Sequence, residues 1–304
     1  MTHSETELIY GQTQGRELRA TLYRPDNLDA SSKTDSHRDS KSNQCAEPFL
    51  IDIHGGAWSS GHRKMGRLYC RAMAAQGFSI LAIDLSDGRV ARHPAASADI
   101  CAAVRYTKLC LLQDASQTIA LIGSSSGGHL ALYAGLLPNH TQHASTKIYT
   151  DSGLRAMPDI DASVKAVVAL WPVSNPLARY QYVTARSQDP IESWGPNFTP
   201  DLLMQGHQAY FSDNAAMSEA TTQNILTEGR FESLPDIFIV QPALDLNVPE
   251  FMSQTLLGAC QLAGAKVKYK HYAGVAHGFA QLQGPKTEEC ISDVIGFLRP
   301  VHEC

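Results

Sequence analysis

The chain has 304 residues, 43% hydrophobic and 18% charged, which is ordinary for a folded protein and long enough to bury a sizeable core. Its formal net charge of -5 gives no basic footprint for nucleic acid or an anionic membrane, so a small molecule of little charge is the expected partner. No stretch approaches the roughly 20 apolar residues of a membrane span, the polar start lacks the regions of a signal peptide, and seven scattered cysteines without a Cys-x-x-Cys pair fit reduced thiols, so a cytoplasmic location is expected.

Leu8-Ile9-Tyr10 and residues 18–23 read as short strands split by a turn over residues 11–15, together an antiparallel hairpin at a sheet edge. Residues 26–47 are Ser, Asp, Lys, Asn and Gln with almost no apolar side chain, and are expected to form a mobile surface loop. Residues 49–53 return as a buried strand running into His54-Gly55-Gly56-Ala57-Trp58. Paired glycines after a buried strand allow consecutive backbone amides to be aimed into a cleft, which is how main chain builds an oxyanion hole. Helices are predicted over residues 63–76 and 97–109, with a strand at 79–83 between them.

The apolar strand 118–122 leads into Gly123-Ser124-Ser125-Ser126-Gly127-Gly128-His129, and Leu130 to Ala134 then reads as a buried helix. Gly-x-Ser-x-Gly at a strand-to-helix turn is a nucleophile elbow with Ser125 at its apex, and the amide of Ser126 at the helix start can face a developing oxyanion. A polar stretch, 140–161, precedes a strand over 164–171. Residues 172–233 are irregular and rich in aromatics, among them Tyr180, Tyr182, Trp194, Phe198, Tyr210 and Phe211. They follow the carboxyl end of a central strand, where open α/β sheets bind ligands, and are read as a cap insertion whose aromatics mostly form its own small core. A strand at 236–240, a helix from Pro249 through Leu262, a strand at 267–272, a glycine-flanked loop holding His277 and a helix at 287–298 complete the chain. The alternation predicts a single α/β domain over 1–304, with a mainly parallel sheet covered by helices on both faces.

A serine hydroxyl needs a base within hydrogen-bond reach and a third group to orient that base. Ser125, Asp245 and His277 each sit just past the carboxyl end of a predicted strand, in the chain order of an α/β-hydrolase. The rivals fit less well. Asp236 begins its strand, His271 lies within one, His54 precedes the glycine pair, and His129 is inside the elbow helix.

These motifs, with Ala276-His277-Gly278-Phe279, resemble the α/β-hydrolase esterases of the hormone-sensitive-lipase and acetylesterase type. The tryptophan after His-Gly-Gly-Ala also resembles the kynurenine formamidase and bacterial feruloyl-esterase-like branch. The resemblance implies Ser125 as nucleophile, His277 as base and acid, Asp245 as its partner, and the amides of Gly55, Gly56 and Ser126 as the oxyanion hole. Trp58 and His54 become candidates for substrate contact. The chain departs from the first group at Ala57, where a third glycine is usual, and at Leu85-Ser86, where a Tyr-Arg pair follows the strand's aspartate.

The expected function is hydrolysis of small or aromatic carboxylic esters through an acyl-enzyme. An amidase or formamidase would use the same residues, and an acyltransferase, a lyase or a ligand-binding protein on the same fold are further readings. The histidines lack zinc-ligand spacing and no phosphate-cradling loop is present, so no metal or cofactor is expected. Dimerisation of the chain is left open.

Overall fold

The computed structural model describes residues 2–26, 47–112, 114, 116–190 and 199–302. Most of the predicted 26–47 loop, together with Trp194 and Phe198, lies outside the described residues. Among the described residues, ten strands form one sheet: β1 (His3–Thr13), β2 (Arg16–Pro25), β3 (Phe49–Ile53), β4 (Ser79–Ile83), β5 (Ile119–Ser124), β6 (Lys147–Thr150), β7 (Gly153–Arg155), β8 (Ala166–Leu170), β9 (Asp236–Pro242) and β10 (Val267–Tyr272). Their order is β10-β9-β8-β5-β3-β4-β2-β1-β6-β7. The six strands from β10 to β4 run parallel, and the four from β2 to β7 are antiparallel additions.

Every residue of β3, β4 and β8 is buried, as two-sided coverage of a parallel sheet requires. Alternate side chains supply two cores. Ile51, Leu121, Val167 and Ile239 face helices α2 (Ala95–Tyr106) and α3 (Ser126–Leu136), whereas Leu50, Ile122, Val168 and Phe238 face α1 (Arg67–Ala74) and a C-terminal helix, Pro285–Leu298. The predicted helix at 97–109 begins and ends slightly earlier and passes into a π-helical turn, Thr107–Leu111. Cys70, Cys101 and Cys260 are buried and form no disulfide.

Two expectations are corrected. The hairpin of β1 and β2 exists, but its turn is Gln14–Gly15, both at positive φ, as a two-residue connection demands. Gly11 instead lies inside β1 at a register shift, where a Cβ would stand 2.4 Å from the Lys147 carbonyl oxygen. The hairpin is not at the sheet edge either, because β6 pairs with β1 and β7 with β6. Both strands fall in the polar stretch 140–161; being short, with Ile148 alone of their residues buried, they carry no apolar alternation to announce them.

The described residues of the 172–233 stretch are more regular than their sequence suggests. They hold α4 (Pro176–Ala185), α5 (Pro200–Tyr210), α6 (Asn214–Glu219) and α7 (Thr222–Thr227). Two prolines that look like breakers occupy helix first turns, after the caps Asn175 and Thr199, whose side chains accept from Ala178 N and Leu202 N. Two more helices complete the order, α8 (Glu250–Leu262) after β9 and α9 (Pro285–Leu298) after β10. Among the described residues, no helix is long and apolar enough to cross a membrane.

One core position titrates. Asp52, next to last in β3, is wholly buried and accepts from Tyr69 Oη at 2.5 Å and from Cys70 Sγ at 3.6 Å. Burial pushes its pKa up from 3.8 to about 7 despite these donors. The folded protein therefore holds this proton more tightly than the unfolded chain, and the stability gained below pH 3.8 is lost as pH rises through about 7. In urea unfolding at about pH 4 and about pH 8.5, wild type should lose up to about 4 kcal/mol more than Asp52→Asn on going to the higher pH; equal slopes would contradict the assignment.

Candidate active site

The register of the parallel strands aligns their carboxyl ends: Ile53 stands opposite Gly123, Ser124 opposite Leu170, and Leu170 opposite Val240. The residues that follow therefore meet at one edge. Ser125, between β5 and α3, has φ 56° and ψ -121°, a left-handed conformation rare outside glycine. Its N–H donates to the Leu170 carbonyl at 2.9 Å, and its own carbonyl accepts from Val173 N at 3.1 Å and His129 N at 3.2 Å. The flanking glycines make this turn possible. A Cβ on Gly127 would lie 2.3 Å from the Ile53 carbonyl oxygen, and one on Gly123 would lie 2.3 Å from that of Gly127.

Asp245 and His277 come from the loops after β9 and β10. Those loops are joined by Ala243 N to Tyr272 O and Leu244 N to Val275 O, each 2.9 Å. His277 Nε2 lies 3.1 Å from Ser125 Oγ, and His277 Nδ1 lies 2.8 Å from Asp245 Oδ2. The other oxygen of Asp245 accepts from Asn247 N at 2.9 Å and Val248 N at 2.8 Å, so the carboxylate is fixed at both ends. Trp171, itself at φ 39°, places its ring 5.9 Å from the His277 ring and 5.3 Å from Phe279. The structure thus brings together the three residues that the sequence singles out. The rivals lie elsewhere: Asp236 opens β9 at the far end of the sheet, and the exposed His271 stands 3.7 Å from Glu250.

The 54–58 loop folds over the other side of Ser125. Gly55 fits closely, since a Cβ there would be 2.9 Å from the Ser124 carbonyl oxygen and 3.2 Å from Ser125 Cβ. Gly56, Ala57 and Trp58 all have positive φ, at 120°, 50° and 59°. A pocket of about 320 Å³, open mouth included, is lined by Gly55, Ser126, His54, Trp58, Leu85 and Leu130, with further wall from neighbouring residues. Gly56 does not line it and instead makes the turn, its carbonyl accepting from Ser59 N and Ser60 N. His54 Nδ1–H donates to the Gly55 carbonyl at 2.7 Å, and burial depresses its pKa below the usual histidine range. Trp58 borders the pocket, but most of its ring is committed to packing: it stacks on Tyr210 with centroids 6.1 Å apart and meets His207 edge-on at 4.8 Å.

Arg179 of α4 supports the site from outside the sequence motifs. Only 1% exposed, it donates through Nη2 to Asn247 Oδ1 and through Nε to the Asn247 carbonyl at 3.3 Å, so it clamps the turn that presents Asp245. Burial brings its pKa down to about 10, although the charge of Asp245 acts against that shift. An arginine inside an irregular, polar-looking segment gives no sequence signal for such a role. Among the described residues, no group of three or more His, Cys, Asp or Glu side chains could hold a metal ion.

The BD-FAE family model matches residues 37–257, well over half of the sequence, and the chain belongs to that family. It is 26% identical over 260 residues to Esterase LipC of Mycobacterium tuberculosis, covering 84% of this chain and 59% of that protein. It is 25% identical over 260 residues to the probable isoprenylcysteine alpha-carbonyl methylesterase ICME of Oryza sativa subsp. japonica, covering 83% and 57%. The chain thus spans about six-tenths of the length of the curated relatives it matches. One of two fungal esterases from Rhizomucor miehei superposes with a TM-score of 0.71 at 18% identity, over 99% of this chain and 85% of that one, and the fold is that of the α/β-hydrolases.

The Arg179 clamp is testable through stability. Arg179→Met leaves two buried acceptors of Asn247 without donors, and should cost about 2–3 kcal/mol in chemical denaturation. Arg179→Lys should recover less than half of that loss, since an ammonium cannot reproduce the two-armed contact. Full recovery by lysine would show that charge alone matters.

Proposed function

Proceeding from that membership, we propose that the chain is a serine hydrolase that cleaves small-molecule carboxylic esters through an acyl-enzyme on Ser125. The carrying observation is the hydrogen-bonded line from Ser125 Oγ through His277 to the buried Asp245, set at a strained strand-to-helix turn. The names of the relatives, an esterase and a methylesterase, point the same way.

In this reading Ser125 attacks the ester carbonyl carbon as its proton passes to His277 Nε2. Asp245 accepts from Nδ1–H, which fixes the tautomer and makes Nε2, facing Ser125 Oγ, the basic nitrogen. The tetrahedral oxyanion is met by backbone amides of Gly55 and Ser126, which line the pocket, and of Gly56, whose carbonyl alone is taken up by the turn; Ser126 opens α3 and so has no intrahelical acceptor. His277 then gives its proton to the departing alkoxide, and water releases the acid by the reverse path. Because the leaving oxygen must face His277, the acyl group points to the opposite side, toward the pocket bordered by His54 and Trp58. The chain acts as one catalytic domain, with residues 172–233 as the cap and Gly206 of α5 pressed against the oxyanion loop; a Cβ there would be 2.4 Å from the Ala57 carbonyl oxygen.

Purified protein should hydrolyse p-nitrophenyl acetate and butyrate and be labelled by a fluorophosphonate. Ser125→Ala should abolish labelling and lower kcat by at least about 10⁴-fold, and Asp245→Asn should lower it by about 10⁴-fold. Turnover that survives Ser125→Ala would remove the reading, and anilide turnover exceeding that of the matched ester would move it to an amidase.

A further inference from the structure

We propose that His129 is a positioning residue: its imidazole bridges the Trp58 indole of the oxyanion loop to the Ala220 carbonyl between α6 and α7, and so sets where the loop stands relative to Ser125. The proposal rests on the serine-hydrolase reading for its catalytic consequence, and on geometry for the bridge. Trp58 Nε1 lies 3.2 Å from His129 Nδ1, and His129 Nε2 lies 2.8 Å from the Ala220 carbonyl oxygen. An indole N–H can only donate and a carbonyl can only accept, so the ring must be neutral and protonated on Nε2. The residue is wholly buried, and burial takes its pKa down to about 3, which agrees with that single form.

The bridge matters because of what it joins. The His129 main chain already donates to the Ser125 carbonyl, so one residue touches the nucleophile through its backbone and the oxyanion loop through its ring. The loop is strained. Ala57 and Trp58 are L residues in the left-handed region, each disfavoured by about 1–3 kcal/mol, and they hold that conformation only while surrounding contacts impose it. Among those contacts are Gly88 N to the Trp58 carbonyl at 2.8 Å and the indole bond to His129. Releasing the indole lets Gly55 and Gly56 drift from Ser126, and an error of about 1 Å in such a site costs about 10²-fold in rate. The Ala220 contact attaches the same ring to the segment over the site, so its loss loosens the cover and leaves the loop in place.

The two halves of the bridge can be cut separately. In His129→Gln the amide nitrogen reaches Ala220 but no acceptor faces Trp58; in His129→Asn the amide oxygen faces Trp58 but nothing reaches Ala220. Using p-nitrophenyl acetate, Trp58→Phe and His129→Gln should each lower kcat by about 10- to 100-fold with KM little changed, and the double variant should lose no more than either alone. His129→Asn should instead keep most of kcat and raise KM. Equal kcat losses in His129→Asn and His129→Gln, or full kcat in Trp58→Phe, would overturn the proposal. Long-range ¹H–¹⁵N spectra of the wild-type imidazoles give a readout independent of turnover and of variant folding. They should show His129 bare at Nδ1, protonated at Nε2 and not titrating above about pH 5. A ring protonated at Nδ1 would overturn the bridge while leaving the hydrolase reading intact, whereas wild-type protein without Ser125-dependent turnover would overturn that reading and, with it, the catalytic role of His129.

Discussion

The approach of α3 to the end of β3 governs the architecture of the site. Gly127 has its Cβ position 2.3 Å from the Ile53 carbonyl oxygen and 2.4 Å from that of His54, so helix and strand touch backbone to backbone. Any side chain at 127 would push α3 outward and carry Ser125 away from the loop beginning at Gly55. With the contact in place, Ser125 is forced into a left-handed conformation and tied on both sides by main-chain hydrogen bonds to the end of β8 and the residues beyond it. The strain at Ser125 is therefore imposed by the sheet and needs no support from its side chain.

A second constraint comes from register. Four neighbouring strand ends, those of β9 and β10 two residues longer, present a serine, a glycine loop, an aspartate loop and a histidine loop to one volume. Each group then has its own fastening: Asp245 by two amides, its turn by Arg179, and His277 by Asp245 and the Trp171 ring. A buried guanidinium bound to an amide side chain and a carbonyl gains less than one paired with a carboxylate, and the downward pull on its pKa records that desolvation. Its position places a positive charge near Asp245 without occupying the oxygen that His277 needs.

The parts legible in the sequence are those where one residue's neighbours decide its structure. Strands buried on both faces announce themselves, and β4 and β10 have the predicted limits because apolar or alternating runs end abruptly at polar or glycine residues. The three residues at the site were readable because each follows such a strand. What was illegible depends on contacts distant in the chain. Gly11 looks like a turn residue until β6 is seen lying against it. The helices of 172–233 were hidden because their prolines and polar caps resemble loop composition, and four short helices give little periodicity. Arg179 and His129 gain their partners 68 and 91 residues away, respectively, a separation that no local pattern reports.

Trp58 joins α5 and the 54–58 loop into a single structural unit. Its ring is held between Tyr210 and Phe211 at the end of α5, His207 within it, and His129 of the elbow helix. Such aromatic contacts are worth about 0.5–1.5 kcal/mol each beyond burial, enough together to offset the left-handed backbone at positions 57 and 58. A third glycine in place of Ala57 would relieve that strain locally, but the chain has instead an alanine followed by a large ring anchored from outside the loop. The geometry of the 54–58 loop beside Ser125 is thereby made to depend on the packing of residues more than 140 positions later, and a change in how α5 sits must be felt there.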